Sequence, residues 1–182
     1  MRCLHDDFKT GRVFHVFNHA IDNLKLFYDD EDYNYFLRIF TNRIDKIPAG
    51  IIGYCLMPNH YHFLLKQESD EKVYRLFNYA FISYARYFNK RYDRKGPIFR
   101  SPLQHKIVET KTYIIKLSKY IHMNPVYASL AEKPEDWPYS NYLEWINARK
   151  SELFLPDIRQ ECFPNPQKYR EYVEALTYHY EE

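Results

Sequence analysis

The feature that most restricts the fold lies between Gly50 and Gln67, where "GIIGYCLM" and "HYHFLLKQ" are separated by the dipeptide Pro58-Asn59. Both runs are rich in apolar, β-forming residues, and two residues of turn chemistry leave only one way to join them. The pair is an antiparallel hairpin whose strands are largely buried. Strand and helix periodicities flank it on both sides. From Arg12 to Ala20, "RVFHVFNHA" alternates, with Val13, His15, Phe17 and His19 on one face and Phe14, Val16 and Asn18 on the other. The acidic cluster Asp29, Asp30, Glu31 and Asp32 suits a helix N-terminus, and Tyr33, Phe36, Leu37, Phe40 and Ile44 follow at helical spacing until about Pro48.

After the hairpin, Val73, Leu76, Phe77, Ala80, Tyr84, Tyr87 and Phe88 predict a helix from about Glu71 to Tyr92, broken by "RKGP". "IFRSPLQHKIV" offers a short strand despite Pro102. Thr110 then caps a third helix through about Met123, which Pro125 is expected to stop. The order β-α-β-β-α-β-α predicts an α+β chain of the ferredoxin-like, split βαβ kind: an antiparallel sheet with helices packed on one face, plus an added helix. At 182 residues this is one unit. Residues 1–147 would form its main domain and residues 148–182 an irregular extension carrying one amphipathic helix near Pro166 to Tyr178.

No segment approaches the run of about 18 apolar residues that a membrane helix needs, and "MRCLHDDFKT" lacks the apolar core of a signal peptide. A cytoplasmic location is the expectation. Cys3, Cys55 and Cys162 are scattered and odd in number, which predicts free thiols. The net charge of +2 does not by itself point to nucleic acid, but its distribution is uneven. Between Arg86 and Lys106 the bases Arg86, Lys90, Arg91, Arg94, Lys95, Arg100 and Lys106 face one acid, Asp93, and alternate with Tyr87, Phe88, Tyr92 and Phe99. Two readings stand: a solvated helix end and loop, or a phosphate-tracking surface with aromatic stacking platforms. Most of the 19 tyrosines and 13 phenylalanines must be packing.

The hairpin's second strand opens with His60 and His62, two apart and therefore on one face. Neutral imidazole is a common ligand for divalent metals, so H-x-H on a strand is either a two-point metal clamp or a pair of surface histidines. In "KYIHMNPV", Tyr120 and Asn124 are one helical turn apart, so a phenol and an amide oxygen could approach one metal-bound group. His122 lies roughly opposite and is the weaker ligand. Asn124 precedes proline, which disfavours helical geometry and threatens the one-turn spacing. These residues reach a metal site with a nearby tyrosine, and no further.

"YCLMPNHYHFLLK" and "YIHMNPVYASLAEKPEDWPYSNY" together resemble the single-tyrosine HUH transposases, including relatives associated with repeated extragenic palindromes. "VFHVFNHA" and "FYDDEDYNYFL" resemble the same family's first strand and helix, so the resemblance spans roughly Arg12 to Tyr142. It implies that His60 and His62 bind a divalent metal, that Tyr120 is the nucleophile, and that Asn124 completes the metal site. Tyr61 stands where the family carries a hydrophobic residue, a mild departure. The implied reaction is attack of Tyr120 on a scissile phosphate to give a 5′-phosphotyrosyl enzyme and a free 3′-hydroxyl, with strand rejoining needing no ATP. No P-loop pattern is present. An imidazole pair alone favours Zn²⁺ or Mn²⁺; the resemblance argues for Mg²⁺ or Mn²⁺.

Lys116, one turn before Tyr120, is either a helper in activating the phenol or a solvated lysine. The implied partner is single-stranded DNA with hairpins, which favours Arg91, Arg94, Lys95 and Arg100 as DNA contacts in a cytoplasmic, nucleoid-associated protein. Monomer and homodimer both remain open, as do active sites built in cis or in trans. Two alternatives stand beside the transposase: a domesticated hairpin-DNA-binding protein without cleavage, and a metal-dependent phosphodiester hydrolase in which water attacks.

Overall fold

The computed structural model describes residues 7–22, 24–44, 46–151, 153 and 155–175. The hairpin forms as expected: β2 (Ala49–Met57) and β3 (His60–Gln67) pair antiparallel with Met57 opposite His60, so Pro58 and Asn59 alone make the turn. With β1 (Val13–His19) and β4 (Gln104–Val108) they complete a sheet of order β2-β3-β1-β4, antiparallel at every neighbouring pair. β3 is thus inserted between β1 and β2, which run parallel to each other. That is the split βαβ arrangement, with α1 (Asp30–Ile44) as the crossover. α2 (Val73–Arg91) and α3 (Lys111–Tyr127) follow, then a 3₁₀ turn at Pro134–Asp136 and the short helices α4 (Tyr142–Trp145), α5 (Pro156–Cys162) and α6 (Pro166–Glu174).

Alternation along the strands divides the apolar residues into two cores. Phe14, Val16, Tyr61, Phe63 and Leu65 meet Phe36 and Phe40 of α1 and Leu76, Phe77, Ala80, Tyr84 and Phe88 of α2. On the other face, Ile52, Cys55, Met57 and Leu64 meet Ile114, Leu117 and Ile121 of α3 together with Tyr142, Trp145, Tyr169 and Val173. Helices α1 and α2 therefore share one face, and the added helix α3 covers part of the other. Cys55 is a buried free thiol and Cys162 a half-buried one, whereas Cys3 lies outside the described residues. Among the described residues, no helix is long and apolar enough to cross a membrane.

Three expectations need correction. Pro125 does not stop α3, which continues to Tyr127. A proline this near a helix end forfeits only its own N–H bond to the carbonyl one turn back, and the turn closes through the Ala128 N–H on the Asn124 oxygen at 3.0 Å. Asn124 accordingly keeps its one-turn spacing from Tyr120.

The segment after Ala131 is not irregular filler. It seals the free edge of β2: the Leu56 N–H donates to Tyr139 O (2.9 Å), the Asn141 N–H to Tyr54 O (3.2 Å) and the Leu155 N–H to Ile51 O (2.8 Å). Asn141 adds side-chain bonds, accepting from the Tyr54 N–H (2.7 Å) and donating to Ile52 O (3.0 Å), where Trp145 Nε1 also donates (2.7 Å). The amphipathic helix predicted to run to Tyr178 is α6, and residues beyond 175 lie outside the described residues.

The acidic start of α1, finally, is more than a dipole partner. Asp32 is wholly buried and accepts from the Tyr28 N–H (2.8 Å), Tyr92 Oη (2.7 Å), Tyr87 Oη (3.2 Å) and Arg91 Nη1 (2.7 Å).

Candidate active site

His60 and His62 leave β3 on the face that α3 partly covers, and β1 adds His15, Phe17 and His19 to the same face. The register places His19 opposite His60 and Phe17 opposite His62. The rings follow from that pairing: His19 stacks on His60 at 4.9 Å between centroids and His15 on His62 at 5.2 Å. Tyr120 meets His62 edge to face at 5.6 Å, and Asn124 Oδ1 lies 3.4 Å from His60 Nε2. One chain thus brings His60, His62, Tyr120 and Asn124 together. The i, i+4 spacing on α3 sets the last two over the strand as its intact helical turns require.

Burial governs the charge state of this cluster. It drives the His62 pKa well below the ordinary imidazole value, with the neighbouring His15, His60 and His19 adding to the effect. Burial likewise lowers His15 to about 4, helped by Lys106. Both rings are therefore neutral at neutral pH, the form that ligates metal without first losing a proton.

The residues present fit a divalent cation. His62 places Nδ1 3.0 Å from His15 Nε2, while its Nε2 is buried and has no partner among the described residues. His60 has Nδ1 at 2.8 Å from Asn59 Oδ1 and Nε2 at 3.4 Å from Asn124 Oδ1, two oxygens that only accept. A neutral imidazole has one N–H for the two. The shorter contact takes it, so Nε2 faces the Asn124 oxygen as one lone pair facing another. Neighbouring ligands around one divalent ion sit about 3.0–3.4 Å apart when the bonds are near 2.1 Å, which matches. Among the described residues no three histidine, cysteine or carboxylate side chains gather as a metal cage, because the third corner here is an amide.

The other candidates fall elsewhere. His122 is buried and turned away, with Nδ1 2.6 Å from Tyr169 Oη and Nε2 3.0 Å from Asn141 Oδ1; burial lowers its pKa to about 4. It fastens α3 to α6, as does Lys119, whose Nζ donates to Tyr172 O (2.7 Å) and Ala175 O (2.9 Å). Lys116 is exposed on α3. Of the four basic residues singled out, Arg91 is committed to Asp29, Glu31 and Asp32 at 2.7, 3.1 and 2.7 Å, which separates it from the others. Its hydrogen bonds hold the Asp29 carboxyl below its usual range.

Arg94 is half-buried with its guanidinium 6.0 Å from the Phe88 ring centre. Lys95 is exposed on a tight loop in which Asp93 (φ 47°) and Gly96 (φ 92°) adopt left-handed backbone. Arg100 is exposed beside the histidines: its N–H donates to His19 O at 2.8 Å, and it lines a cavity of about 470 Å³ with His19, Asp22 and Asn59. His15, His19 and Asn59 were not singled out from the sequence, although the alternation of the first strand already puts His15 and His19 on one face. Only the pairing of β1 with β3 shows whose neighbours they are.

Comparison with known proteins agrees with this arrangement. Over 169 residues the chain is 26% identical to a Haemophilus influenzae protein named as a REP-associated tyrosine transposase, covering 87% of this chain and 88% of the relative. The solved structure of a REP-associated tyrosine transposase bound to a REP hairpin superposes with a TM-score of 0.65 at 14% identity, over 81% of this chain and 90% of that one, which is a likeness of fold. The model of the family described as "Transposase IS200 like" matches residues 12–124, more than half of the sequence and the span that holds β1, the histidine pair, Tyr120 and Asn124. The chain belongs to the IS200-like transposase family.

Proposed function

We propose that this protein cleaves and rejoins single-stranded DNA at hairpin-containing sites through a 5′-phosphotyrosine link to Tyr120, with a divalent metal held by His60, His62 and Asn124. The observation that carries the reading is the meeting, within one chain, of an unpartnered buried imidazole nitrogen on His62, an opposed pair of lone pairs on His60 and Asn124, and the ring of Tyr120. A bound Mg²⁺ or Mn²⁺ supplies positive charge that polarises the scissile phosphate and offsets its developing charge. The chain's own residues do the rest. Tyr120 Oη forms the bond to phosphorus while the bond from phosphorus to the 3′-oxygen breaks, and the phenol's proton is balanced by the one that the released 3′-hydroxyl carries. Rejoining runs the same exchange backwards, so the phosphodiester energy is conserved.

Arg94, Lys95 and Arg100 form the proposed DNA surface, with Arg100 nearest the reacting phosphate. Hairpin DNA as partner is supported by the fold likeness to a relative solved with one. Residues 1–147 then act as the catalytic domain and 148–182 as its extension within one unit, working on chromosomal DNA in the cytoplasm. The test is to incubate the protein with hairpin-bearing single-stranded DNA and Mn²⁺, denature, and look for protein linked to DNA. An adduct is expected that vanishes in Tyr120→Phe and in His60→Ala. Cleavage that survives in Tyr120→Phe identifies water as the nucleophile and refutes the reading, and binding without cleavage by the unmodified protein leaves only a hairpin-binding role.

A further inference from the structure

We propose that His15 is a positioning residue for the metal site: its Nε2 accepts the Nδ1–H of His62 and so presents Nε2 of His62 as the bare lone pair that takes the ion. The inference rests on the metal-site reading above. Its starting point is a matched pair of contacts. Each ligand histidine has its Nδ1 engaged from the protein side, His60 by Asn59 Oδ1 at 2.8 Å and His62 by His15 Nε2 at 3.0 Å, and each directs Nε2 toward the space beneath α3. For His60 the amide oxygen settles where the proton sits, because an oxygen acceptor demands Nδ1–H.

For His62 the partner is another imidazole, which can give or accept, so the proton's place depends on His15. If His15 donated from Nε2, His62 would carry its proton on Nε2 and hold an N–H where the ion binds. Metal ligation through Nε2 requires the other arrangement, with His15 protonated on Nδ1 and accepting at Nε2. Geometry holds the two rings to this exchange. They lie diagonally across neighbouring strands, stacked 19° from parallel, and Phe17 flanks both at 4.8 and 6.3 Å. His15 is itself buried, 5% exposed, at the strand position opposite Leu64, so it cannot swing out to water without breaking the sheet's packing.

Three measurements on the full chain test this. Long-range ¹⁵N–¹H correlation spectra of the metal-free protein should show His62 protonated on Nδ1 and bare on Nε2. Mn²⁺ titration, followed by the loss of the free-ion EPR signal, should show binding weakened about 10- to 100-fold in His15→Phe, the range found when such supporting partners are removed. His15→Gln puts an amide oxygen near the position of Nε2 and should restore affinity to within about threefold of the unmodified protein, a rescue that a purely space-filling role would not produce. Hairpin-DNA binding in EDTA should be unchanged in both variants. Unaltered Mn²⁺ affinity in His15→Phe alongside lost affinity in His62→Ala overturns the role of His15 and leaves the metal site standing, and so does a His62 proton found on Nε2. Unaltered affinity in His62→Ala overturns the metal site and the inference together.

Discussion

Lowering the pH of the metal-free protein should unfold it well above the range in which carboxylates titrate, because three buried histidines are held neutral. His15 and His122 each titrate at about 4 in the folded chain against 6.5 for the free side chain, and His62 lies well below its ordinary value. The unfolded chain therefore binds more protons than the folded one between these limits. Stability is full above about pH 7 and is lost as the pH falls from 6.5 toward 4. A shift from 6.5 to about 4 costs about 2 kcal/mol per histidine between pH 7 and pH 5, so His15 and His122 together remove about 4 kcal/mol, with His62 adding in the same direction.

Against a total stability of about 5–15 kcal/mol that is a large fraction. The assay is urea unfolding in EDTA followed by the fluorescence of Trp145, which is fully buried against Tyr169. With a slope of about 2 kcal/mol per M, the midpoint should fall by about 2 M between pH 7 and pH 5. His122→Gln, which retains groups able to meet Tyr169 and Asn141, should flatten the acid limb by one proton, about 1.4 kcal/mol per pH unit. A midpoint that moves by less than about 0.5 M refutes the idea that these histidines are buried neutral.

Replacing the carboxylate in Asp32→Ala leaves the Tyr28 N–H, Tyr87 Oη and Tyr92 Oη without their buried acceptor and should cost about 3 kcal/mol in urea unfolding. A loss under about 1 kcal/mol would mean that water takes over these bonds. Lys95→Ala and Arg100→Ala should each weaken hairpin-DNA binding and flatten the plot of log affinity against log salt by about 1, since each removes one phosphate contact. Arg91→Ala should leave that slope unchanged while lowering stability, because its guanidinium already faces Asp29, Glu31 and Asp32; an equal change of slope refutes the division between them.

Local pattern explains what could be read in advance. The β2–β3 hairpin, α1, α2 and the common face of His60 and His62 follow from periodicities of two and about 3.6 residues and from one short turn. Long-range pairing explains the rest. Arg91 looks like a free cation among neighbours of like charge, and its carboxylates stand some sixty positions earlier, across a helix pair that no local window spans. His15 and Asn59 became part of the site only when β1 was set beside β3. Pro125 misled because a rule about intrinsic preference was applied to the last turn of a helix, where the lost bond is easily spared. The edge-sealing segment carried no signal at all: its work is done by backbone groups and by the polar side chain of Asn141, which alternation and hydropathy do not register.

That seal imposes an order of events on the growing chain. The hairpin that carries the histidine pair emerges from the ribosome about eighty residues before Tyr139, Asn141 and Leu155, whose groups close the outer edge of β2. Until they arrive, the nascent sheet presents the open hydrogen-bonding row of an unpaired strand, the kind of surface that recruits foreign strands. The same late-made stretch delivers Asn141 and Tyr169 to His122, two residues along α3 from Tyr120. The tyrosine helix is therefore fastened to the sheet only at the end of synthesis, and protection from aggregation and completion of the catalytic face come in a single closing step.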